Sequence, residues 1–180
     1  MTAIVSKHGE IIKTISAPAE VVGLNTPDGC IALPDPPNLN MYFSEGEWVD
    51  LPASPSPNHI FSYELKDWID PRTLDEIKAQ KWDEIKSERD RLEFGGFEFE
   101  GGVYDSDQVS QGRIVGAAMA GVDQVWTLKN NATVLLTAAQ LQQLYQALQL
   151  HIAEVHARGR AARQAIYEAD TKEKVGAVTL

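Results

Sequence analysis

Several residues in the sequence are of types that carry out chemistry, but their spacing favours structural roles. His151 and His156 lie five residues apart in a helical pattern, which directs them to different faces and makes them poor joint metal ligands. Glu98 and Glu100 alternate along a strand pattern and point to one side, as the carboxylate pair of a glycosidase does. Acidic residues on one strand face are more often a solvated surface. We therefore assign no catalytic role to these four residues.

The other candidate motifs are incomplete. Asp105 and Asp107 resemble the start of a calcium loop, but its glycine and distal glutamate are missing, so helix capping accounts for them better. The glycine pairs at 95–96 and 101–102 are not followed by the Lys-Ser/Thr of a phosphate loop. Cys30 is the only cysteine, which excludes an internal disulfide and a thiolate metal cluster. The sequence thus predicts no catalytic residue, no cofactor and no metal, and hence no enzyme.

Three aromatic residues, Tyr42, Phe43 and Trp48, are the best candidates for a binding site. They lie in a β-rich stretch close to the lower size limit for a self-sufficient core, which can hardly bury three large rings. Exposed aromatic residues are common anchors of protein–protein interfaces. We predict that at least one of the three binds a partner protein.

Proline content divides the chain into parts. All nine prolines lie between Pro18 and Pro71. Residues 1–51 contain short β-like runs with hairpin signals at 7–9 and 44–46, which predicts a small β-rich module. Residues 52–61 are rich in proline and serine and predict a semi-rigid linker.

Residues 62–176 predict an α+β domain dominated by two long helices, over 73–94 and 137–168. Thr73 and Thr137 are each followed three residues later by a Glu or Gln, which is the capping-box signature of a helix start. Between the helices, the pattern predicts two β-hairpins and a short helix that ends at Gly121. The tail after Thr171 is expected to fray.

The second long helix carries a continuous apolar stripe. Its members are Leu141, Leu144, Tyr145, Leu148, Ile152, Val155, Gly159, Ala162 and Ile166. A helix cannot bury such a stripe alone, so another part of the chain or a second copy must cover it. The simplest packing lays the helix from Thr73 beside it, and self-association through the long helices is the alternative.

The charge and hydropathy of the chain limit its partners. The net charge is −10, and such an acidic surface repels the phosphate backbone of nucleic acids, so no nucleic-acid partner is expected. Hydrophobic residues make up 43% of the chain, enough for a buried core. No run of 18 apolar residues predicts a membrane span, and the first ten residues lack signal-peptide features. We therefore expect a soluble protein that is used inside a cell.

A set of short motifs in the second part resembles a known family. They are Trp82–Asp90, Gly96–Phe99, Tyr104–Asp107, Arg113–Ile114, Trp126–Thr127 and the helix start at Leu136–His151. In this order they resemble an uncharacterised domain common in tailed bacteriophages, over about residues 62–175. The proline-rich β module ahead of it is similar to the front part of tail-fibre assembly proteins, the fibre chaperones of tailed phages and R-type pyocins.

The resemblance implies a function for the whole chain. It implies a chaperone that binds the trimeric tail fibre, at its C-terminal tip, and promotes folding and trimerisation without ATP. Its partner surface would include Tyr42, Phe43 and Trp48. Its location would be the cytoplasm of the bacterial host during assembly, or the assembled particle. The alternative that the resemblance leaves open is a structural tail, baseplate or fibre-associated component that stays in the particle.

Overall fold

The computed structural model describes residues 1–180 and divides them into two compact units, Met1–Arg72 and Thr73–Leu180. The protein is mixed α+β, with 42% of residues in helices and 24% in strands. This confirms the predicted fold class. None of the helices combines the length and the hydrophobicity that are needed to cross a lipid bilayer.

The first unit contains one three-stranded antiparallel sheet, a short helix and two β-hairpins. Its elements are β1 (Thr2–Ser6), β2 (Ile11–Ile15), α1 (Ala19–Leu24), β3 (Cys30–Pro34), β4 (Met41–Ser44), β5 (Glu47–Asp50), β6 (Ile60–Ser62) and β7 (Asp67–Ile69). Strand β1 lies between β2 and β3 in the sheet. Its residues Ala3, Ile4 and Val5 are completely buried and form the core of this unit.

A tight contact joins the turn after β1 to strand β4. Gly9 has a positive φ of 91°, and its carbonyl oxygen accepts a hydrogen bond of 2.9 Å from the Phe43 amide. A Cβ atom at this position would lie only 1.9 Å from the Phe43 carbonyl oxygen. The close approach of the two backbones therefore requires glycine.

We expect the Gly9→Ala substitution to destabilise the first unit more than Gly29→Ala. Gly29 also has a positive φ, of 79°, but a Cβ there meets nothing within 4 Å. Its replacement should cost about 1–2 kcal/mol for the left-handed backbone alone. Gly9→Ala adds the clash with Phe43, so its loss of unfolding free energy in urea should be clearly larger. Equal losses for the two variants would contradict the close approach.

Two features of the first unit differ from the sequence-based expectation. The helix α1 interrupts the stretch that was expected to form only strands, and its Val22 side chain is buried. The hairpin of β6 and β7 also belongs to this unit, although the second part was expected to start at residue 62. The Trp68 indole nitrogen donates a hydrogen bond of 3.0 Å to the Pro52 carbonyl, which holds the proline-rich stretch against that hairpin.

The second unit contains the two long helices, two β-hairpins and two shorter helices. Its elements are α2 (Leu74–Glu93), β8 (Phe97–Phe99), β9 (Gly102–Tyr104), α3 (Gln108–Ala120), β10 (Gln124–Thr127), β11 (Thr133–Leu136), α4 (Ala138–Glu168) and α5 (Lys172–Gly176). Both predicted capping boxes are formed, with Thr73 paired to Glu76 and Thr137 paired to Gln140. Each long helix starts directly after its predicted cap.

The apolar stripe of α4 is covered within the chain. Helix α4 packs against α2 and α3. All predicted stripe residues are buried except Tyr145, which is exposed, and Ile152, which is half-buried. The stripe is therefore not free to bind a second copy, and self-association would have to use other surfaces of the long helices.

The end of the chain is ordered, so the expectation of a frayed tail is wrong. Thr171 caps the helix α5, its side chain accepting a hydrogen bond from the Lys174 amide, and α5 packs against both α2 and α4. The Val175 side chain is completely buried. A single buried valine in a short helix is too weak a pattern to be predicted from the sequence.

A buried serine connects the end of α2 to the start of α3. Ser106 is completely inaccessible to solvent. Its hydroxyl donates to the Glu93 carbonyl at 2.5 Å and accepts from the Gly96 amide at 2.8 Å. These two backbone groups lie beyond the regular hydrogen bonds of α2, so Ser106 satisfies groups that would otherwise be unpaired in the interior.

Candidate partner-binding site

The predicted aromatic residues lie on the hairpin of β4 and β5, but they form two surfaces. Phe43 lies directly opposite Trp48 in the strand register, and their ring centroids are 5.3 Å apart in an edge-to-face arrangement. Tyr42 precedes Phe43 on the same strand, and successive side chains point to opposite faces of a sheet. The structure therefore brings Phe43 and Trp48 together and places Tyr42 on the other face.

Tyr42 belongs to a larger cluster of rings, which we call the aromatic cluster: Tyr42, Phe61, Tyr63 and Trp68. The centroid of Phe61 lies 5.1 Å from that of Tyr42, 5.2 Å from that of Tyr63 and 5.5 Å from that of Trp68. All four side chains are half-buried. They support one another while part of each ring remains accessible, which suits a protein-binding surface.

Three members of the aromatic cluster were missed because they come from the second hairpin. Phe61 and Trp68 are paired in the register of β6 and β7, and Tyr63 follows β6 directly. The signal in the sequence is the alternation of Phe61 and Tyr63, with Trp68 following after a short turn. In the structure, Lys66 in this turn has a positive φ of 57°. The strands are only three residues long, which leaves this signal weak.

Charged groups lie next to two rings of the aromatic cluster. The Lys66 ammonium nitrogen lies 4.7 Å from the centroid of the Tyr42 ring and also donates a hydrogen bond to the His8 carbonyl. Burial, and to a smaller extent the Glu10 carboxylate, raises the pKa of the Tyr63 phenol above its usual value. The phenol therefore stays protonated at neutral pH and can donate a hydrogen bond to a partner.

A cavity of about 590 Å³ in the first unit brings together polar residues from distant positions. Its lining includes His8, Glu10, Cys30 and Tyr63. Cys30 is half-buried and lines the same cavity as His8, although the two residues are distant in sequence. No group of three or more His, Cys, Asp or Glu side chains in the chain is arranged to hold a metal ion.

The two histidines of α4 contact different partners at the end of α2. The His151 Nε2 atom lies 3.0 Å from the Leu92 carbonyl oxygen, and its ring stacks on Phe97 with centroids 5.8 Å apart. The His156 Nε2 atom lies 2.9 Å from a carboxylate oxygen of Glu93. Both side chains hold α4 to α2, and the two rings do not share a ligand.

The acidic candidates also lie apart from one another. Strand β8 ends at Phe99, so Glu100 is not an alternate strand residue. It lies in the turn with a φ of 45°, and its carboxylate accepts a hydrogen bond of 3.0 Å from Gln140. The expected pairing of Glu98 and Glu100 on one strand face is therefore wrong. Asp107 caps α3, as the capping interpretation predicts, whereas Asp105 is exposed and does not cap.

We expect the cap of α3 to make the second unit sensitive to acid. The Ser110 hydroxyl, followed by the amides of Ser110 and Val109, lowers the pKa of Asp107 below its usual value. Because the folded pKa is below the unfolded one, the stabilisation is present above about pH 4 and is lost as the pH falls through the folded pKa.

The Asp107→Asn variant keeps a capping oxygen without the charge. Unfolding of both proteins would be measured in urea at intervals from about pH 6 to pH 2. The stability advantage of the wild type should shrink as the pH falls. A constant difference over the whole range would contradict a cap with a lowered pKa.

Comparisons with known proteins assign the second unit to a family. No curated protein and no solved structure matches the chain. A family model described as "Domain of unknown function (DUF4376)" matches residues 76–179, which is more than half of the chain. The matched range includes the buried Ser106, the Asp107 cap and the capping box of α4. The chain therefore belongs to the DUF4376 family.

Proposed function

We propose that this protein is an assembly chaperone for a trimeric tail fibre, which it binds at the C-terminal tip. The observation that carries the proposal is the pair of aromatic surfaces on the small first unit, the Phe43–Trp48 pair and the aromatic cluster. It is supported by the resemblance of residues 62–175 to a phage tail domain and of the first part to fibre assembly proteins. The work would take place in the host cytoplasm during assembly.

The physical need for such a protein follows from the way fibres fold. Intertwined trimers depend on strand pairings between distant residues, so they fold slowly and expose apolar surfaces and strand edges in the meantime. Half-accessible rings can cover apolar surface of the fibre. The two hairpins of the first unit form separate two-stranded sheets, so part of their outer edges is unpaired, although the Phe43 amide of β4 is bonded to Gly9.

We propose that the protein acts by binding alone, without a cofactor and without catalysis. The candidates His151, His156 and Asp107 of the second unit are engaged in structural contacts with Leu92, Glu93 and the start of α3, respectively. Binding that suppresses aggregation and aligns three chains needs no source of chemical energy, because the fibre trimer is itself the stable product.

The test is the affinity for the partner fibre after removal of the aromatic side chains. The double variant Phe43→Ala/Trp48→Ala should weaken fibre binding at least about 30-fold, since truncation of an aromatic hot spot costs 2 kcal/mol or more. The matched control is Val49→Ala, an exposed residue on the same hairpin that lies opposite Tyr42. Far-UV circular dichroism would show whether each variant remains folded.

The Tyr42→Ala variant tests the other face of the hairpin in the same assay. A loss with only one of the two variants would show which face contacts the fibre. Unchanged binding by both folded variants would contradict the assignment of these residues to the partner surface.

A further inference from the structure

A groove of about 480 Å³ lies between helix α3 and strand β10 in the second unit. Consecutive residues 124–128 line one wall, and Arg113, Gly116 and Ala117 of α3 line the other. Side chains along a strand point alternately to opposite faces. A cavity that touches consecutive strand residues therefore borders the strand edge, where the backbone is accessible.

The backbone of β10 has unpaired groups at this edge. Strand β10 pairs only with β11, and the Leu128 amide donates to the Ala132 carbonyl at 2.8 Å. In an antiparallel ladder, hydrogen-bonded pairs alternate with pairs that are not bonded to each other. The register places Val125 and Thr127 in the latter class. Their N–H and C=O groups thus point away from β11 and toward the groove.

The edge of β10 lacks two of the features that usually block the addition of a strand. The β10 sequence, Gln124–Thr127, contains no charged residue and no proline, which are the usual features that block an edge. On the opposite wall, a Cβ added to Gly116 would meet nothing within 4 Å. At Gly116 the helix therefore presents no side chain that would obstruct the groove.

The charges in the groove define the chemistry of an occupant. The Arg113 side chain is exposed on the helix wall and makes no ion pair or hydrogen bond in the structure. Asp105 also lines the groove. It lies near the Leu128 end, because the Lys129 amide donates a hydrogen bond of 2.9 Å to the carbonyl oxygen of Val103, two residues before Asp105. An acidic side chain in the middle of an occupant would complement Arg113.

We propose that the groove binds an extended segment of a partner protein, which adds as a strand to the free edge of β10. The backbone groups of Val125 and Thr127 would bond to the segment, and an Asp or Glu of the segment would pair with Arg113. A second copy of this chain is a poorer occupant, because each copy carries a net charge of −10 and the two copies repel each other. The proposal does not depend on the identity of the partner, and it stands apart from the proposed fibre role.

The first experiment measures binding of a labelled peptide to the full chain by fluorescence anisotropy. The probe is a heptapeptide of alternating threonine and valine with glutamate at its centre. The matched probe has lysine at its centre. We expect the glutamate peptide to bind at least tenfold more tightly than the lysine peptide. The Arg113→Glu variant should reverse this preference.

A pair of glycine variants tests the location. Gly116→Leu should fill the groove and weaken peptide binding at least tenfold. Gly112→Leu, one turn earlier on the same helix, adds the same side chain at a position that does not line the groove and that also has free space around it. It should bind like the wild type. Leucine favours the helix over glycine, so both variants should fold.

Amide hydrogen exchange gives a second readout that does not rely on variants. The Val125 and Thr127 amides should exchange freely in the free protein and become protected on peptide addition, whereas Trp126 should be protected in both states. Failure of both peptides to bind, or equal binding by the Gly116→Leu variant, would overturn the proposal. Protection of the two amides that rises with protein concentration alone would also overturn it, in favour of self-association.

Discussion

Replacing Leu144 with alanine is expected to lower the unfolding free energy of the second unit by about 3–5 kcal/mol, as for other completely buried leucines. Leu144 is completely buried in the core formed with Phe97, Ile114 and Leu148. It lies on the face of α4 that joins the helices to the small strands. Removal of its branched side chain loses apolar contacts and leaves a cavity that rigid neighbours on several elements cannot fill.

The measurement is urea unfolding followed by circular dichroism at a helix-sensitive wavelength, since the long helices belong to this unit. Leu150→Ala is the matched control, because Leu150 lies on the same helix with 65% of its surface exposed. Its change should stay within about 0.5 kcal/mol. Similar losses for the two variants would contradict the assigned face of α4.

Replacing Ser106 with alanine is expected to cost about 2–4 kcal/mol, although only one oxygen atom is removed. The Glu93 carbonyl and the Gly96 amide would both lose their partner in a completely buried position. Water cannot take over without a space to occupy, so both groups would carry a desolvation cost. We expect faster hydrogen exchange at the Gly96 amide in addition to the lower stability.

Ser87→Ala is the control for the serine substitution. The Ser87 hydroxyl also donates to a backbone carbonyl, that of Asp83, but on the exposed face of α2 where water can replace it. Its loss should be within about 0.5 kcal/mol. If Ser106→Ala were equally mild, the buried serine would not be holding the end of α2 to the start of α3.

The parts of the fold that were predictable from sequence depend on local patterns. The starts of the two long helices follow from the capping boxes at Thr73 and Thr137, which act within one helical turn. The stripe of α4 follows from its periodicity. The hairpin of β6 and β7 and the helix α5 were not predicted, because short elements depend on tertiary contacts more than on their own propensity.

The candidate sites were likewise only partly predictable from local patterns in the sequence. Tyr42, Phe43 and Trp48 could be singled out by residue type, but their division between two faces required the strand register. Phe61 and Trp68 join Tyr42 only through the packing of one hairpin on another. The groove beside β10 depends on how a helix and a strand edge are placed in space, which no local pattern in the sequence specifies.

The proposed role of this protein is to assist the assembly of a trimeric fibre. The most direct test is to express a partner fibre protein with and without this chain and to quantify soluble, SDS-resistant fibre trimer. The proposed function predicts abundant trimer only in the presence of this chain. An equal yield of trimer from the fibre expressed alone would contradict the chaperone function.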